Sequence, residues 1–207
     1  METVIINRNY LKFVMFITLA GMLLVSGCTR YARNSDMLYK PSTSVSGGNG
    51  NIYIVIPESQ QTKASDVKRV LGTVSDGANG KFDDVVSSRS AAEIIQAALA
   101  LELERAGYTV IPVTKRPTTE QRVIDLTITN IKLDQISDLT NIRVTCQVLM
   151  GIDAYKSGQL SKRLQYEATS TKTDVMDREM LAGNVLQDAL QTVMLQATPE
   201  LHNLFSK

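Results

Sequence analysis

The sequence is poor in the residues that most catalytic and metal sites use. Its 207 residues include one histidine, two cysteines and no tryptophan. A structural zinc ion needs about four His or Cys ligands, so a His/Cys metal cluster is excluded. A Ser–His catalytic pair would have to use His202, near the C-terminus, and we expect that side chain to be exposed. The sequence therefore predicts no catalytic residue, no metal and no cofactor.

An excess of charge of one sign is also lacking. Lys and Arg number 22 against 21 Asp and Glu, for a formal net charge of +1. Nucleic-acid-binding proteins usually carry a basic excess, so the balance argues against a nucleic-acid partner. The chain also has no polybasic patch of the kind that a membrane surface attracts. A membrane-attached form of this protein would therefore need a lipid anchor.

The apolar run near the N-terminus is too short to cross a membrane. Residues 13–25 form thirteen uncharged positions after Arg8 and Lys12, whereas a spanning helix needs about 20 residues. A basic start followed by a short apolar run is typical of a secretory signal. We predict that residues 1–27 are a signal peptide.

The end of this run resembles the lipobox of bacterial lipoproteins. Cys28 follows Val25, Ser26 and Gly27, an apolar residue and two small ones. The resemblance implies that the Cys28 thiol receives a diacylglycerol, that cleavage precedes Cys28, and that an acyl chain such as palmitate joins the new amino group. Several acyl chains, at about 0.8 kcal/mol for each buried methylene, would anchor the protein stably. The alternative is a plain secretory signal with an incidental cysteine.

A lipidated Cys28 leads to two further inferences, one about which membrane holds the protein and one about the state of Cys146. In lipoproteins of this pattern an Asp after the cysteine usually marks inner-membrane retention, so Thr29 implies the outer membrane of a diderm bacterium, with the domain on its periplasmic face. Acylation would also leave Cys146 without an intramolecular disulfide partner. Because an exposed lone thiol is a liability in an oxidising compartment, we expect Cys146 to be buried.

Composition predicts a flexible tether followed by one domain. Residues 28–50 combine the lipidated cysteine with a polar stretch rich in Ser, Thr and Gly. A flexible linker of about 20 residues spans roughly 25 Å, which would hold a domain near the membrane without fixing its orientation. Residues 51–207 fit a single periplasmic globular domain.

The first half of this domain predicts a parallel strand–helix–strand unit. The β-branched run 52–56 favours a central strand buried on both faces, and an Asn–Gly pair at 79–80 suggests a hairpin. Ser90 opens a capping-box pattern at the start of a helix, and Gly107 marks the end of that helix. The strand over 108–113 would then lie parallel to the first one.

The second half predicts an antiparallel meander. Ile124, Leu126 and Ile128 are expected to point to the apolar face, and the phase of the alternation changes at Asn130, which predicts a bulge there. Residues 142–154 alternate cleanly, with Cys146 on the apolar face, and the returning strand places Leu160 inward. Three consecutive long strands of this kind form a meander with one apolar and one wet face.

A final helix completes the expected architecture. From about Met176 the apolar spacing becomes helical, and Pro199 is expected to interrupt it. The methionines Met176, Met180 and Met194 either fill the core or line an adaptable groove for a lipid or peptide. The economical arrangement is an α/β fold of the α+β-like kind. It is a two-layer sandwich, with a mixed sheet of about five strands that includes the antiparallel meander and two helices on one face.

The order of elements resembles that of the YajG-type lipoproteins of Gram-negative bacteria. The segments that carry the resemblance are the lipobox, the capped helix with its end at 104–110, the strand around 141–144 and the final amphipathic helix. In outline this family is similar to the auxiliary lipoproteins of ABC-type lipid transport systems. The resemblance implies an envelope lipoprotein and carries over no catalytic residue.

These observations favour a non-enzymatic binding or scaffold module that is attached to the membrane through Cys28. Its further partner would be an envelope protein or a phospholipid. The alternative function is a lipid-binding auxiliary component of an envelope lipid transport system, which predicts an enlarged apolar cavity between the sheet and the helices. An enzyme is disfavoured, because no nucleophile-and-base pair stands out. The adjacent Asp83 and Asp84 would point to opposite faces of a strand.

Overall fold

The computed structural model describes residues 33–34, 38–55, 69–76, 80–118, 122–137, 140–175 and 178–206. Within these ranges the chain forms eight strands and two helices. The strands are β1 (Arg33–Asn34), β2 (Asn51–Val55), β3 (Arg69–Asp76), β4 (Gly80–Ser87), β5 (Thr109–Val113), β6 (Arg122–Ser137), β7 (Ile142–Lys156) and β8 (Gln159–Asp174). The helices are α1 (Ala91–Ala106) and α2 (Arg178–Phe205).

The eight described strands belong to one mixed sheet built around β6. One edge of β6 pairs with β2 over its first part and with β3 over its last part, and both pairings are parallel. The sheet continues from β2 to β5, and from β3 to β4 and then β1. The other edge of β6 pairs antiparallel with β7, which pairs antiparallel with β8.

Both helices pack against the sheet and against each other, which confirms the predicted two-layer α/β sandwich. Alternate residues of β7 from Ile142 to Ala154 are buried in the core that the helices share with the sheet. The sheet is larger than the five strands expected. The hairpin β3–β4 joins it through β3, and the outer edge of β4 accepts β1, so these strands extend the same sheet.

The predicted parallel unit is confirmed in its placement and in its caps. Strand β2 lies between β5 and β6, with Ile52 and Ile54 fully buried. At the start of α1 the Ser90 hydroxyl accepts a hydrogen bond from the Glu93 backbone N–H, and the Glu93 carboxylate accepts one from Ser90 N–H. Gly107 ends the helix in the left-handed conformation, which glycine adopts without steric cost.

The meander is confirmed, but two of its predicted side-chain directions are wrong. The register of β6 against β7 slips at Thr127 rather than at Asn130, and the extra residue turns Ile128 outward, 40% exposed. A second slip adds Ser161 at the start of β8 and leaves Leu160 exposed. Because side chains alternate with a period of two, each extra residue moves the pattern to the opposite face.

Helix α2 continues through Pro199, so the predicted interruption is wrong. A proline removes one backbone donor from a helix. Here the apolar stripe continues on both sides of it, through the fully buried Met194 and Leu201, and core packing maintains the helical path. Met194 is therefore core filler. Met180 is exposed, and Met176 lies outside the described residues.

The structure corrects the predicted flexible tether over residues 38–50. These residues have no helix or strand, as expected, but they pack on the domain. Thr43 is buried, and both Tyr39 and Val45 contact the hydrophobic core. The polar composition that suggested a linker instead supplies hydrogen-bond donors to a buried carboxylate, described below.

Cys146 is a free, fully buried thiol on the apolar face of β7, as predicted. Burial, with a smaller contribution from the negative charge of Asp134, raises its pKa to about 12. Each pKa unit lowers the thiolate fraction tenfold, so we expect maleimide or disulfide reagents to modify the folded protein about a thousandfold more slowly than an ordinary thiol. Mass spectrometry of residues 29–207, where Cys146 is the only cysteine, measures this directly.

The unfolded chain in urea serves as the control for this measurement, and there the same thiol should react at an ordinary rate. Rapid modification of the native domain would contradict the core position of Cys146.

Candidate functional site

The predicted site residues lie ahead of the described domain. The lipidation residue Cys28 and the lipobox residues Val25, Ser26 and Gly27 are outside the described residues. The first described residue after them is Arg33, which begins β1. The part of the structure that bears on anchoring is therefore the connection between Cys28 and the domain.

Residues 38–50, here named the strap, lie across both helices. The backbone of Lys40 exchanges hydrogen bonds with α2: its N–H donates to Gln187 Oε1 (3.1 Å), and its carbonyl accepts from Gln187 Nε2 (2.8 Å) and Gln191 Nε2 (2.9 Å). The next residue contacts α1, where Arg105 Nη1 donates to the Pro41 carbonyl (2.8 Å). The strap thus joins the two helices.

The strongest contact of the strap is with Glu102, a fully buried carboxylate in α1. Its Oε1 accepts from the Tyr39 hydroxyl (2.5 Å) and from Ser42 N–H (2.8 Å). Its Oε2 accepts from the Thr43 hydroxyl (2.6 Å) and from Thr43 N–H (3.2 Å). Four donors from one five-residue stretch surround a single carboxylate, and charge-assisted hydrogen bonds of this kind are stronger than neutral ones.

The electrostatics of this cluster keep Glu102 ionised and Tyr39 protonated. Burial alone would raise the pKa of Glu102, but the hydrogen bonds from Thr43, Tyr39 and Ser42 together outweigh it and lower that pKa. Burial, and then the hydrogen bond and charge of Glu102, raise the pKa of the Tyr39 phenol well above its usual range. Because Glu102 has no exposed surface, its carboxylate has a structural role in holding the strap on α1 and is not an acid or base available to a substrate.

The end of the strap is fixed to the end of α1. Gly48 N–H donates to the carbonyl of Ala106 (2.8 Å), and Thr109 N–H donates to that of Gly50 (3.0 Å). Gly48 lies so close to the Tyr108 ring that a Cβ at this position would come within 2.5 Å of the ring. Glycine permits this approach without displacing the ring, so Gly48 has a packing role.

The Tyr108 hydroxyl lies 3.1 Å from His202 Nδ1, which corrects the prediction that His202 is exposed. The two rings meet edge to face, and His202 is partly buried near the end of α2. The guanidinium carbon of Arg122 lies 5.8 Å from the centroid of the Tyr108 ring. The same guanidinium donates a hydrogen bond to the carbonyl of Asn49. Burial raises the pKa of Tyr108, and the charge of Arg122 partly opposes that shift.

An open groove of about 610 Å³ lies on the sheet face opposite the helices, between β3 and β6. Its lining mixes the exposed Val70 with polar side chains. Asp134 accepts from the Thr73 hydroxyl (3.0 Å) and forms an ion pair with Lys132 (2.9 Å). This groove is not the apolar cavity between sheet and helices that the lipid-binding alternative predicts.

Two further searches concern the described part of the chain. Within those ranges, no three or more His, Cys, Asp or Glu side chains are grouped so that they could hold a metal ion. No helix in the same ranges is both long and apolar enough to cross a membrane.

Sequence reasoning missed Glu102 and the strap residues that bind it. One signal was present: Glu102 follows Ala98 by four residues and Leu99 by three, so it occupies a position of the buried stripe of α1. A carboxylate in such a position requires hydrogen-bond donors. The donors themselves lie about sixty residues earlier, in a segment whose composition is typical of a linker.

Comparison with known proteins gives loose structural likeness. No protein-family model matches the chain, and no curated protein matches it. A Xanthomonas campestris protein of the DUF330 family is similar in structure, with a TM-score of 0.47, 8% identity, and coverage of 84% of this chain and 94% of that chain. A minor lipoprotein from Acinetobacter baumannii has a TM-score of 0.37 at 10% identity, covering 64% of this chain and 90% of its own.

The rare lipoprotein B from Shewanella oneidensis is also similar, with a TM-score of 0.29, 10% identity, and coverage of 65% of this chain and 92% of that chain. Likeness at this level assigns neither a family nor a function to this chain. The resemblance to YajG-type lipoproteins stays a prediction.

Proposed function

We propose that this protein is a lipoprotein anchored through Cys28 to the periplasmic face of the outer membrane, where it acts as a non-enzymatic binding or scaffold module. The observation that carries the proposal is the lipobox Val25–Ser26–Gly27–Cys28 at the end of a short apolar run. In this proposal no residue has a catalytic role.

The anchor is tested by substituting Cys28 in the full chain. Cys28→Ala should abolish incorporation of an alkyne-tagged palmitate and release the protein from the membrane fraction, because each acyl chain contributes about 0.8 kcal/mol per buried methylene. Cys146→Ala is the matched control and should leave both labelling and membrane retention unchanged. Unchanged retention of Cys28→Ala would contradict the lipoprotein assignment.

Thr29→Asp should move the protein toward the inner-membrane fraction in a density gradient.

The binding role is tested on residues 29–207 exported to the periplasm without the anchor. Native mass spectrometry should give the bare protein mass, and crosslinking in cells should then recover an envelope protein. A stoichiometric adduct that extracts as a phospholipid would favour the lipid-transport auxiliary instead.

A further inference from the structure

We propose that β8 pairs with β8 of a second copy of this chain, so that the two sheets join into one across a two-fold axis. Strand β8 forms an edge of the sheet, because it pairs antiparallel with β7 and with no other described strand. An edge strand presents a row of backbone N–H and C=O groups that can pair with another strand. The inference is independent of the lipid anchor, because it uses only residues of the folded domain.

The other two edges of the sheet are poorly suited to such pairing. One edge is β5, which has five residues and includes Pro112, and a proline lacks the backbone donor that pairing needs. Another edge is β1, with two described residues, whereas β8 has sixteen. Lysines commonly block an edge strand. In β8, however, Lys162 forms an ion pair with Glu200 of α2 in its own chain. Lys172 forms one with Asp188 of the same helix.

The charges of β8 are complementary to themselves in the antiparallel register that is centred on Gln165. Opposite residues of an antiparallel pair lie on the same face, with their Cα atoms about 5 Å apart. In this register residues 162–168 of the two copies face each other, and Arg163 lies opposite Glu167 of the second copy. Both side chains are exposed in the single chain. Because a two-fold axis repeats every contact, this ion pair forms twice.

The helix-covered face of β8 is complementary in the same register. The half-buried Leu164 lies opposite the buried Tyr166 of the second copy, again twice, and both are apolar side chains. Helix α2 packs on both β7 and β8. In the joined sheet its second copy would lie on the same face, two strand spacings or about 10 Å away. Neighbouring helices pack at about 8–10 Å, so the two copies of α2 can lie side by side.

Registers centred further along β8 lose part of this complementarity. A register centred on Glu167 sets that carboxylate against its own copy, and like charges directly opposite each other are destabilising. A register three residues beyond Gln165 sets Lys162 against Asp174. It also sets Leu164 against Lys172, an apolar side chain against a charge. The register centred on Gln165 therefore fits both faces of the strand.

The test is a disulfide between two copies at the two-fold axis. Residues 29–207 are exported to the periplasm with Gln165→Cys, or with Thr173→Cys as the matched control at an exposed position of the same strand. In the proposed pairing the two Cα atoms of position 165 lie about 5 Å apart, within the range that a disulfide spans. The two copies of position 173 lie about 50 Å apart. Gln165→Cys should therefore give several-fold more reducible dimer than Thr173→Cys.

The outcomes of this test are distinct from those of the anchor test, because residues 29–207 lack Cys28. The unchanged chain over this range contains only the buried Cys146 and should give no disulfide-linked dimer. Equal crosslinking at positions 165 and 173, or none at position 165, would overturn the pairing of β8 with its copy. Neither result would affect the lipoprotein assignment.

A charge exchange tests the register. Arg163→Glu should lower the dimer fraction in sedimentation velocity several-fold, because it sets like charges opposite each other twice. The double variant Arg163→Glu with Glu167→Arg should restore the dimer fraction. It does not restore the contacts that these side chains make with Asp153 and Gln147 of their own chain, so the rescue reports on the second copy. Failure of the double variant to restore the dimer would overturn the register.

Discussion

Gly72→Ala should lower the free energy of unfolding by about 3 kcal/mol or more, because the new methyl group has no space. A Cβ at Gly72 would lie 1.6 Å from the carbonyl oxygen of Leu133 and 2.4 Å from its carbonyl carbon. These are backbone atoms of β6, so no side-chain rotation can relieve the overlap. Strand β3 would have to move away from β6, which breaks their parallel pairing and loosens the packing of the buried Leu71 and Val74.

Gly183→Ala is the matched control, because it makes the same substitution in α2, where no atom beyond the adjacent residues and the helix's own nearby backbone lies within 4 Å of the new Cβ. Alanine is favoured over glycine inside a helix, so this variant should be more stable by up to about 1 kcal/mol. Urea unfolding of residues 29–207, followed by circular dichroism, measures both variants. A Gly72→Ala midpoint equal to that of the unchanged protein would contradict the close approach of β3 to β6.

The elements that could be predicted from sequence are those whose signals are local. Helix α1 carries its own start and stop, in the capping box at Ser90 and the left-handed Gly107. Strand β7 alternates over its whole length, so its buried face and Cys146 follow directly from the period of two. Neither conclusion required knowledge of what these elements pack against.

The features that could not be predicted depend on a partner element. The slips at Thr127 and Ser161 are set by how β6 and β8 pair with β7, and each inverts the direction of the residues beyond it. Helix α2 passes Pro199 because the sheet covers its apolar stripe on both sides of the proline. In each case a tertiary contact outweighs a local preference, and the contact is invisible in the local pattern.

The candidate site also has one part that could be predicted from a local sequence signal and one part that could not. Cys28 and its lipobox form a local motif that the sequence displays in full. The strap has no motif, because its position depends on contacts with residues distant in sequence, among them a carboxylate about sixty residues away. Composition alone suggests a flexible stretch, because it does not show these distant contacts.

Glu102→Ala should detach the strap from α1 and lower the free energy of unfolding by about 3 kcal/mol. The substitution removes the acceptor for four hydrogen bonds from Tyr39, Ser42 and Thr43. Those donors would be left unpaired in a buried position, so the strap gains by separating and binding water. The loss is limited to the strap's contribution, because both helices remain packed on the sheet. Hydrogen exchange of the Ser42 and Thr43 amides should rise sharply.

Glu104→Ala is the control for the loss of a carboxylate from the same helix. Glu104 lies two residues further along α1 and is exposed, whereas Glu102 is fully buried. Its removal should change stability by less than about 0.5 kcal/mol and leave exchange in the strap unaltered. If Glu102→Ala and Glu104→Ala were equally stable, the strap would contribute nothing to the domain.

The stability difference between the unchanged protein and Glu102→Gln should depend on pH in one direction. The hydrogen bonds hold the pKa of Glu102 below its ordinary value of 4.5, so the folded protein favours the ionised form more than the unfolded chain does. That contribution is fully present above pH 4.5 and is lost as the pH falls through the lower folded-state pKa. Glutamine does not titrate, and its amide presents only one acceptor oxygen to four donors.

Urea unfolding of both proteins should therefore show the largest difference in the free energy of unfolding at neutral pH, and a shrinking difference below pH 4.5. Glu200 also has a lowered pKa, but it is present in both proteins, so its titration cancels in the difference. A difference in the free energy of unfolding that stays constant on acidification would contradict the conclusion that an ionised Glu102 holds the strap.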